Sequence, residues 1–240
     1  MKVLITAAGL GMRMGPVTHA MNKCLLPIGG KPLLRTLVDT FKKHGVHDIF
    51  VITGHCADLV EMELQRKVTF IHNPDYAITS ILGSITLAEK YLKGSDFIFS
   101  TGDSLLHPEL IKKMIHFQDK ENILLCVDLK QCDEEDMKVI IKDETIIDMS
   151  KKIPLHQASG EYTGLTYFPS VASVTFFELV DKSLKQRSKN QYVAQMLLLL
   201  QHQGFKLVPM YTKGLPRIEI DYPQDLEDAQ KLYLLFNAQK

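Results

Sequence analysis

Short apolar runs rich in Val and Ile alternate with segments of helical spacing through the first half of the chain, and that order restricts the fold more than any other feature. Lys2 to Thr6 reads as a buried strand closed by Ala-Ala-Gly. Pro32 to His44 places Leu33, Leu34, Leu37, Val38 and Phe41 on one helical face, and Gly45 stops it. Further strands are predicted at Asp48 to Thr53, Val68 to His72, Asp96 to Ser100 and Ile123 to Leu129. Helices fall between them at Ala57 to Lys67, Ile78 to Leu92 and Pro108 to Gln118. Successive strand–helix units call for parallel strands joined by crossover helices, so an α/β layered fold is expected.

The second part of the chain changes character. Met137 to Ile141, Ile146 to Met149 and Tyr162 to Phe168 read as strands without long helices between them. Helices follow at Ser173 to Gln186 and Tyr192 to His202, then strands at Lys206 to Met210 and Arg217 to Ile220, then a helix from Pro223. Neither a Pro/Gly/Ser-rich linker nor an internal repeat divides the 240 residues, so one domain over 1-240 is expected. With 45% apolar and 23% charged residues, disorder as the main state is excluded. Basic and acidic residues number 28 each, and a zero net charge argues against a dedicated nucleic-acid binder. The longest apolar run, Met196 to Leu200, is far short of the roughly 18 residues of a membrane span; it reads as a buried helix, and no membrane insertion is expected. The opening Met-Lys-Val-Leu-Ile-Thr is too short for a secretory signal. Cys24, Cys56, Cys126 and Cys132 lack Cys-x-x-Cys spacing, which fits reduced thiols in a cytoplasmic protein. The nine histidines form no set with metal-ligand spacing.

The connection after the first strand is the anomaly. Ala8 to Lys31 shows little periodicity yet holds five glycines, Arg13, Lys23 and Lys31. Connections in α/β domains usually take about two to six residues, and structureless ones beyond about 15 tend to be functional. Glycines let the backbone approach a ligand closely, and consecutive N–H groups there form an anion cradle. A dinucleotide fingerprint does not fit, because the third glycine, Gly15, is one position late and Pro16 follows. A phosphate-loop ATPase does not fit either, because Gly30-Lys31 is followed by Pro32. Two readings remain: a plain surface loop, or a loop that wraps a nucleoside triphosphate with backbone amides, Arg13 and Lys23.

The residues that follow favour the second. Ala7-Ala8-Gly9-Leu10-Gly11-Met12-Arg13, with Lys23-Cys24-Leu25-Leu26-Pro27 and Gly30-Lys31-Pro32, resembles the nucleotidyltransferase (pyrophosphorylase) superfamily. Asn73-Pro74-Asp75-Tyr76, Ser100-Thr101-Gly102-Asp103, Gly160 to Gly164 and Ile218 to Leu226 look most like its phosphocholine cytidylyltransferase group. Two departures stand out. Asn22 replaces the proline usual before the lysine, a change of loop stiffness, and Ser80-Ile81 replaces two asparagines near the pocket.

The resemblance implies a Rossmann-like, mostly parallel sheet with flanking helices, the GT-A-like nucleotidyltransferase fold. It implies a nucleotide-binding part over about 1-130 and an acceptor-binding part over about 131-240. Arg13 and Lys23 would be the catalytic charges on the triphosphate, and Ala7, Ala8, Gly9, Gly11, Thr79 and Ser84 would bind the nucleotide. Lys151, Glu161 and Glu219 would serve the acceptor, with Lys152 not distinguished from Lys151. Asp103 and Asp221 would hold Mg²⁺, which takes oxygen ligands. On residue type alone, Asp103 is equally a turn residue, and Asp221 or Tyr222 equally a cap for the helix at Pro223. The implied reaction is transfer of CMP from CTP to a small phosphorylated or phosphonate acceptor. Alternatives are a sugar 1-phosphate acceptor with UTP, dTTP or GTP, and a nucleotide sensor without turnover. Assembly into a homo-oligomer is left open.

Overall fold

A computed structural model describes residues 1–117, 119–185 and 192–238. The predicted helix ends at Gln118 and Gln186 lie outside the described residues. The first half runs β1 (Lys2–Ala7), β2 (Pro27–Ile28), β3 (Lys31–Pro32), α1 (Leu33–Lys43), β4 (Asp48–Thr53), α2 (Ala57–Leu64) and β5 (Thr69–His72). It continues with α3 (Ile81–Thr86), α4 (Glu89–Leu92), β6 (Phe97–Thr101), β7 (Ser104–Leu106), α5 (Pro108–Ile115) and β8 (Ile123–Asp128). The second half holds β9 (Lys138–Lys142), β10 (Thr145–Ser150), β11 (Gly160–Phe168), α6 (Ser170–Lys185) and α7 (Val193–His202), then β12 (Leu207–Tyr211), β13 (Arg217–Glu219) and α8 (Pro223–Ala238).

Nine strands form one sheet in the order β10-β9-β11-β6-β1-β4-β5, with β8 and β12 joined through β11. β1 pairs in parallel with β4 and β6, β4 with β5, and β12 with β8. β11 runs antiparallel to β6, β8 and β9, and β10 antiparallel to β9. All strands except β11 and β10 therefore point one way, the mostly parallel arrangement expected.

Side chains alternate across a strand, so β1 supplies both layers. Val3 and Ile5 pack with Leu34, Phe41, Val60 and Ile111 from α1, α2 and α5. Leu4 faces the other way, toward Leu82, Leu92, Phe176 and Leu197 from α3, α4, α6 and α7. A third cluster (Met14, Leu26, Ile28, Leu105 and Ile220 against Ala229 of α8) fixes the underside of the glycine loop. The predicted face of α1 is fully buried, and Gly45, at φ 85°, ends it with bonds from Gly45 N–H to Lys42 and Val46 N–H to Phe41. Among the described residues no helix is long and apolar enough to cross a membrane, and the four cysteines are free thiols.

Three local expectations need correction. The long connection is not structureless: it folds into two 3₁₀ segments, Met12–Thr18 and Lys23–Leu25, then the β2–β3 ladder. The helix predicted over Ile78 to Leu92 is two helices, α3 and α4. Its first turn is displaced because Asn73 ties up the preceding loop, donating to Thr79 Oγ1 and Ser84 Oγ while accepting from Asp75 N–H. Ser80 then caps α3 by accepting from Gly83 N–H. The strand β7 went unpredicted, since three residues are too few to show a period.

Candidate active site

Open α/β sheets place ligands beyond the carboxyl ends of their parallel strands. Here β1 ends at Ala7 and its neighbour β6 at Thr101, and the turn Gly102-Asp103 follows. Gly102 N–H donates to Thr6 O at 2.9 Å, and a Cβ on Gly102 would lie 2.8 Å from that oxygen. Only glycine permits an approach this close without displacing Asp103. The short ladder β13–β7 sets Glu219 opposite Ser104, and Ile220 N–H donates to Asp103 O at 2.9 Å. That pairing joins two segments more than a hundred positions apart. Carboxylate oxygens of Asp103, Glu219 and Asp221 all lie within 4.8 Å of one another.

Among the described residues no hydrogen bond runs from the first turn of α8 to the side chain of Asp221 or Tyr222. Asp225 accepts from the N–H groups of both, at 2.8 and 2.6 Å, which holds the chain that carries Asp221.

Lys23 reaches this cluster from the 3₁₀ segment of the glycine loop. Its Nζ lies 2.6 Å from Asp103 Oδ2 and 2.9 Å from Asp221 Oδ1, and Arg13 Nη2 lies 2.7 Å from the same Asp221 oxygen. Burial works against the Lys23 ammonium, but Asp103 and Asp221 outweigh it and hold its pKa above the ordinary lysine value. Asn22 explains how the loop is fixed. Buried to 1% exposure, its amide donates to Ala7 O and His55 O at 2.8 and 2.9 Å, and its Oδ1 accepts from Cys24 N–H at 3.0 Å. A proline could make none of these bonds; the asparagine staples Lys23's segment to the ends of β1 and β4. Asn22→Ala is expected to reduce unfolding free energy by about 2–4 kcal/mol, because buried carbonyls lose their donors. Urea unfolding measures this, and a loss below about 1 kcal/mol would assign the loop's position to other contacts.

The acidic cluster fits a divalent cation held by hard oxygen ligands. Asp103 Oδ1 is buried and has no hydrogen-bond partner among the described residues. Burial, with Asp103 and Asp221 nearby, pushes the Glu219 carboxyl up to about 7 despite Lys23 and Arg217. A cation taken up beside the orphaned oxygen of Asp103 would relieve the crowding of the three carboxylates.

Two cavities meet at the cluster. The smaller, about 250 Å³, is lined by Ala7, Ala8, Gly9, Lys23, Thr79, Ser84 and Asp103 among others. It gathers the residues expected on the nucleotide apart from Gly11 and Arg13. Gly11 sits behind it at φ 63°, its Cβ direction facing the Lys23 side chain at 3.3 Å, and its carbonyl accepts from Met14 N–H and Thr18 Oγ1. The larger cavity, about 470 Å³, holds Arg13, Lys151, Glu161, Glu219 and Asp221. Ile81, Thr101 and Glu219 line both. Gly164, at φ 79° within an irregular stretch of β11, packs against Thr101 at this junction.

Lys151 and Lys152 part company in space. Lys151 lines the larger cavity and pairs with Glu135 at 3.2 Å, while Lys152 is exposed. Glu161 is buried and pairs with Lys130 at 3.0 Å and closely with Arg217. Sequence reading missed Arg217, Lys130, Asp136 and Tyr192, all of which line this cavity. Lys130 and Asp136 stand in an acidic, polar stretch that reads as a solvated loop. Only Arg217, two positions before Glu219 on a strand and thus on its face, carried a usable signal.

Residues 3–199 match the MobA-like NTP transferase domain family. A CTP:phosphoglutamine cytidylyltransferase of Campylobacter jejuni is 24% identical over 255 residues, covering 95% of this chain and 98% of that protein. A D-glycero-alpha-D-manno-heptose 1-phosphate guanylyltransferase of Aneurinibacillus thermoaerophilus is 23% identical over 236 residues, covering 96% and 97%. The solved CTP:phosphocholine cytidylyltransferase of Streptococcus pneumoniae has the same fold, with a TM-score of 0.80 at 22% identity over 97% of this chain and 98% of that one. The family match spans the glycine loop, Lys23 and Asp103 together with most of the sheet; the chain belongs to the MobA-like NTP transferase domain family and is a nucleotidyltransferase.

Proposed function

We propose that this enzyme transfers CMP from CTP to a small phosphorylated or phosphonate acceptor and releases pyrophosphate. The observation that carries the reading is the Lys23-bridged carboxylate cluster at the junction of two cavities, one lined by the glycine loop and one by charged groups of the second half. The nucleotide occupies the smaller cavity, with the amides of Ala8, Gly9 and the adjoining loop toward its phosphates and with Thr79 and Ser84 also lining it. The acceptor occupies the larger cavity, its phosphate toward Lys151.

In the reaction an acceptor oxygen forms a bond to the α-phosphorus while the bond to the β-phosphate oxygen breaks in line. The acceptor oxygen is already ionised near neutral pH, so no general base is required. Catalysis is then positioning and charge neutralisation. Lys23 supplies a point charge at the junction, and Arg13 a fork for the departing phosphates. Asp103 and Asp221, with Glu219 beside them, would hold Mg²⁺, which supplies charge neutralisation on the phosphate oxygens. Cytoplasmic operation accords with a CTP-using enzyme.

Support for CTP and a phosphorylated amine comes from the cytidylyltransferase relatives. The guanylyltransferase relative, matched over nearly its whole length, supports a second reading with a sugar 1-phosphate. Ser80-Ile81 stands at the decision point, since Ile81 lines both cavities. Pyrophosphate release with Mg²⁺ separates the readings when CTP, UTP, GTP, ATP and dTTP are crossed with phosphocholine, phosphoethanolamine, aminoethylphosphonate and sugar 1-phosphates. The expected result is release with CTP and a phosphorylated or phosphonate amine. Release only with a sugar 1-phosphate would establish the second reading, and tight nucleotide binding without any release would establish a sensor.

A further inference from the structure

The stretch Asp133-Glu134-Glu135-Asp136 places four acids in succession, a pattern that ordinarily reads as a repelling, solvated loop. The structure folds it into a closed turn. Asp133 Oδ1 accepts from the N–H groups of Glu135 and Asp136 at 2.8 and 3.1 Å, and Asp136 Oδ2 accepts from Asp133 N–H at 2.7 Å. Beneath the turn lies Lys138, with 1% of its surface exposed. Its Nζ donates to three backbone carbonyls, those of Asp133, Glu134 and Asp136, at 2.9, 3.2 and 3.3 Å. A buried ammonium is costly unless its donors are met. Here three carbonyls of one turn meet all three, and those carbonyls in turn depend on Lys138.

The turn forms a wall of the larger cavity. Asp133, Glu135, Asp136 and Met137 line it, Glu135 pairs with Lys151, and Asp136 Oδ1 pairs with Lys130 at 3.1 Å. Lys130 continues to Glu161, and Glu161 to Arg217 on β13, two residues before Glu219. Lys138 is not among the residues lining either cavity.

We propose that Lys138 is a positioning residue that sets the acceptor wall: it acts through the carbonyls of 133–136 to aim their carboxylates, and so governs acceptor affinity without touching acceptor or nucleotide. The inference rests on the reading of the larger cavity as the acceptor site. The nucleotide cavity shares no residue of the turn, so the two substrates should respond differently.

The test is Lys138→Met, which keeps the unbranched side chain out to Cε and removes the donors at its end. Steady-state kinetics with the productive donor and acceptor should show acceptor KM raised roughly tenfold or more, with nucleotide KM and kcat within about threefold of wild type. Hydrogen exchange should quicken across residues 131–137 and stay unchanged along β1 and β6. Lys138→Arg, which keeps a charge and several donors, should recover part of the acceptor KM. An unchanged acceptor KM, or an equal rise in both KM values with general acceleration of exchange, would overturn the positioning role. If Lys138→Met fails to fold, wild-type exchange decides: saturation with acceptor should slow 131–137, and no slowing there overturns the proposal. A wild-type protein that releases pyrophosphate with no substrate pair removes the reading of the cavity. In that event, unchanged exchange across 131–137 in Lys138→Met still overturns the part played by the lysine.

Discussion

Lys23→Ala is expected to lower kcat by roughly 10²-fold or more, the scale of losing one preorganised charge-stabilising group. Lys23 bridges two acids of the cluster, Asp103 and Asp221, and its side chain is only 13% exposed at the wall of the smaller cavity. A charge held there is worth far more than one in solvent. The substitution also removes the cation that bridges Asp103 and Asp221 and leaves the cluster with Arg13 and Arg217, so the free protein should melt at a lower temperature. Because a cation that binds only the folded state stabilises it, Mg²⁺ should restore more of the melting temperature in Lys23→Ala than it adds to wild type. Stopped-assay pyrophosphate release and thermal melting with and without Mg²⁺ check both parts. A kcat within a few-fold of wild type would remove Lys23 from the chemistry and leave it as a structural bridge between two strands.

Asp103→Asn should cause a comparable fall in kcat, again roughly 10²-fold or more, but through a different dependence. Oδ2 of Asp103 bonds to Lys23, whereas Oδ1 is buried and unpartnered among the described residues, the end a cation would take. The amide keeps the shape of the side chain and loses its charge. Half-saturating Mg²⁺ should therefore rise by at least the roughly 10–100-fold that loss of an outer supporting group costs a metal site. Nucleotide KM at saturating Mg²⁺ should move less. Titrating Mg²⁺ at fixed CTP and acceptor gives the comparison. An unchanged half-saturation point would leave Asp103 as the partner of Lys23 only, and would transfer the metal role to Glu219 and Asp221.

The two substitutions probe opposite partners of one ion pair, so their effects should not add. Residues that share partners in one network couple, and the double variant should lie close to the more impaired single variant. The Asn22 and Lys138 variants probe how the two cavity walls are held, and their effects belong to the loop and to the acceptor rather than to the reacting atoms.

The strand–helix order and the burial of α1 were legible in the linear chain, because the helical period and the alternation of β strands are local properties. The glycine loop, with Arg13 and Lys23 in it, was legible for a similar reason: its residue types and spacing declare what backbone and charges it can present. Asp103 and Asp221 could be named as candidates from their neighbours. Their meeting could not, since it depends on the β13–β7 ladder and on one bond from Ile220 to Asp103, contacts between segments far apart in the chain. The same holds for Asn22, which looked like a lost proline until its amide was seen to span the ends of two strands. It holds most strongly for the acidic turn above Lys138, where a run of like charges predicts a solvated loop. Local chemistry determined which groups this chain carries; packing of distant segments decided which of them face one another across the site, because a ladder or a buried amide can join residues that no local pattern connects.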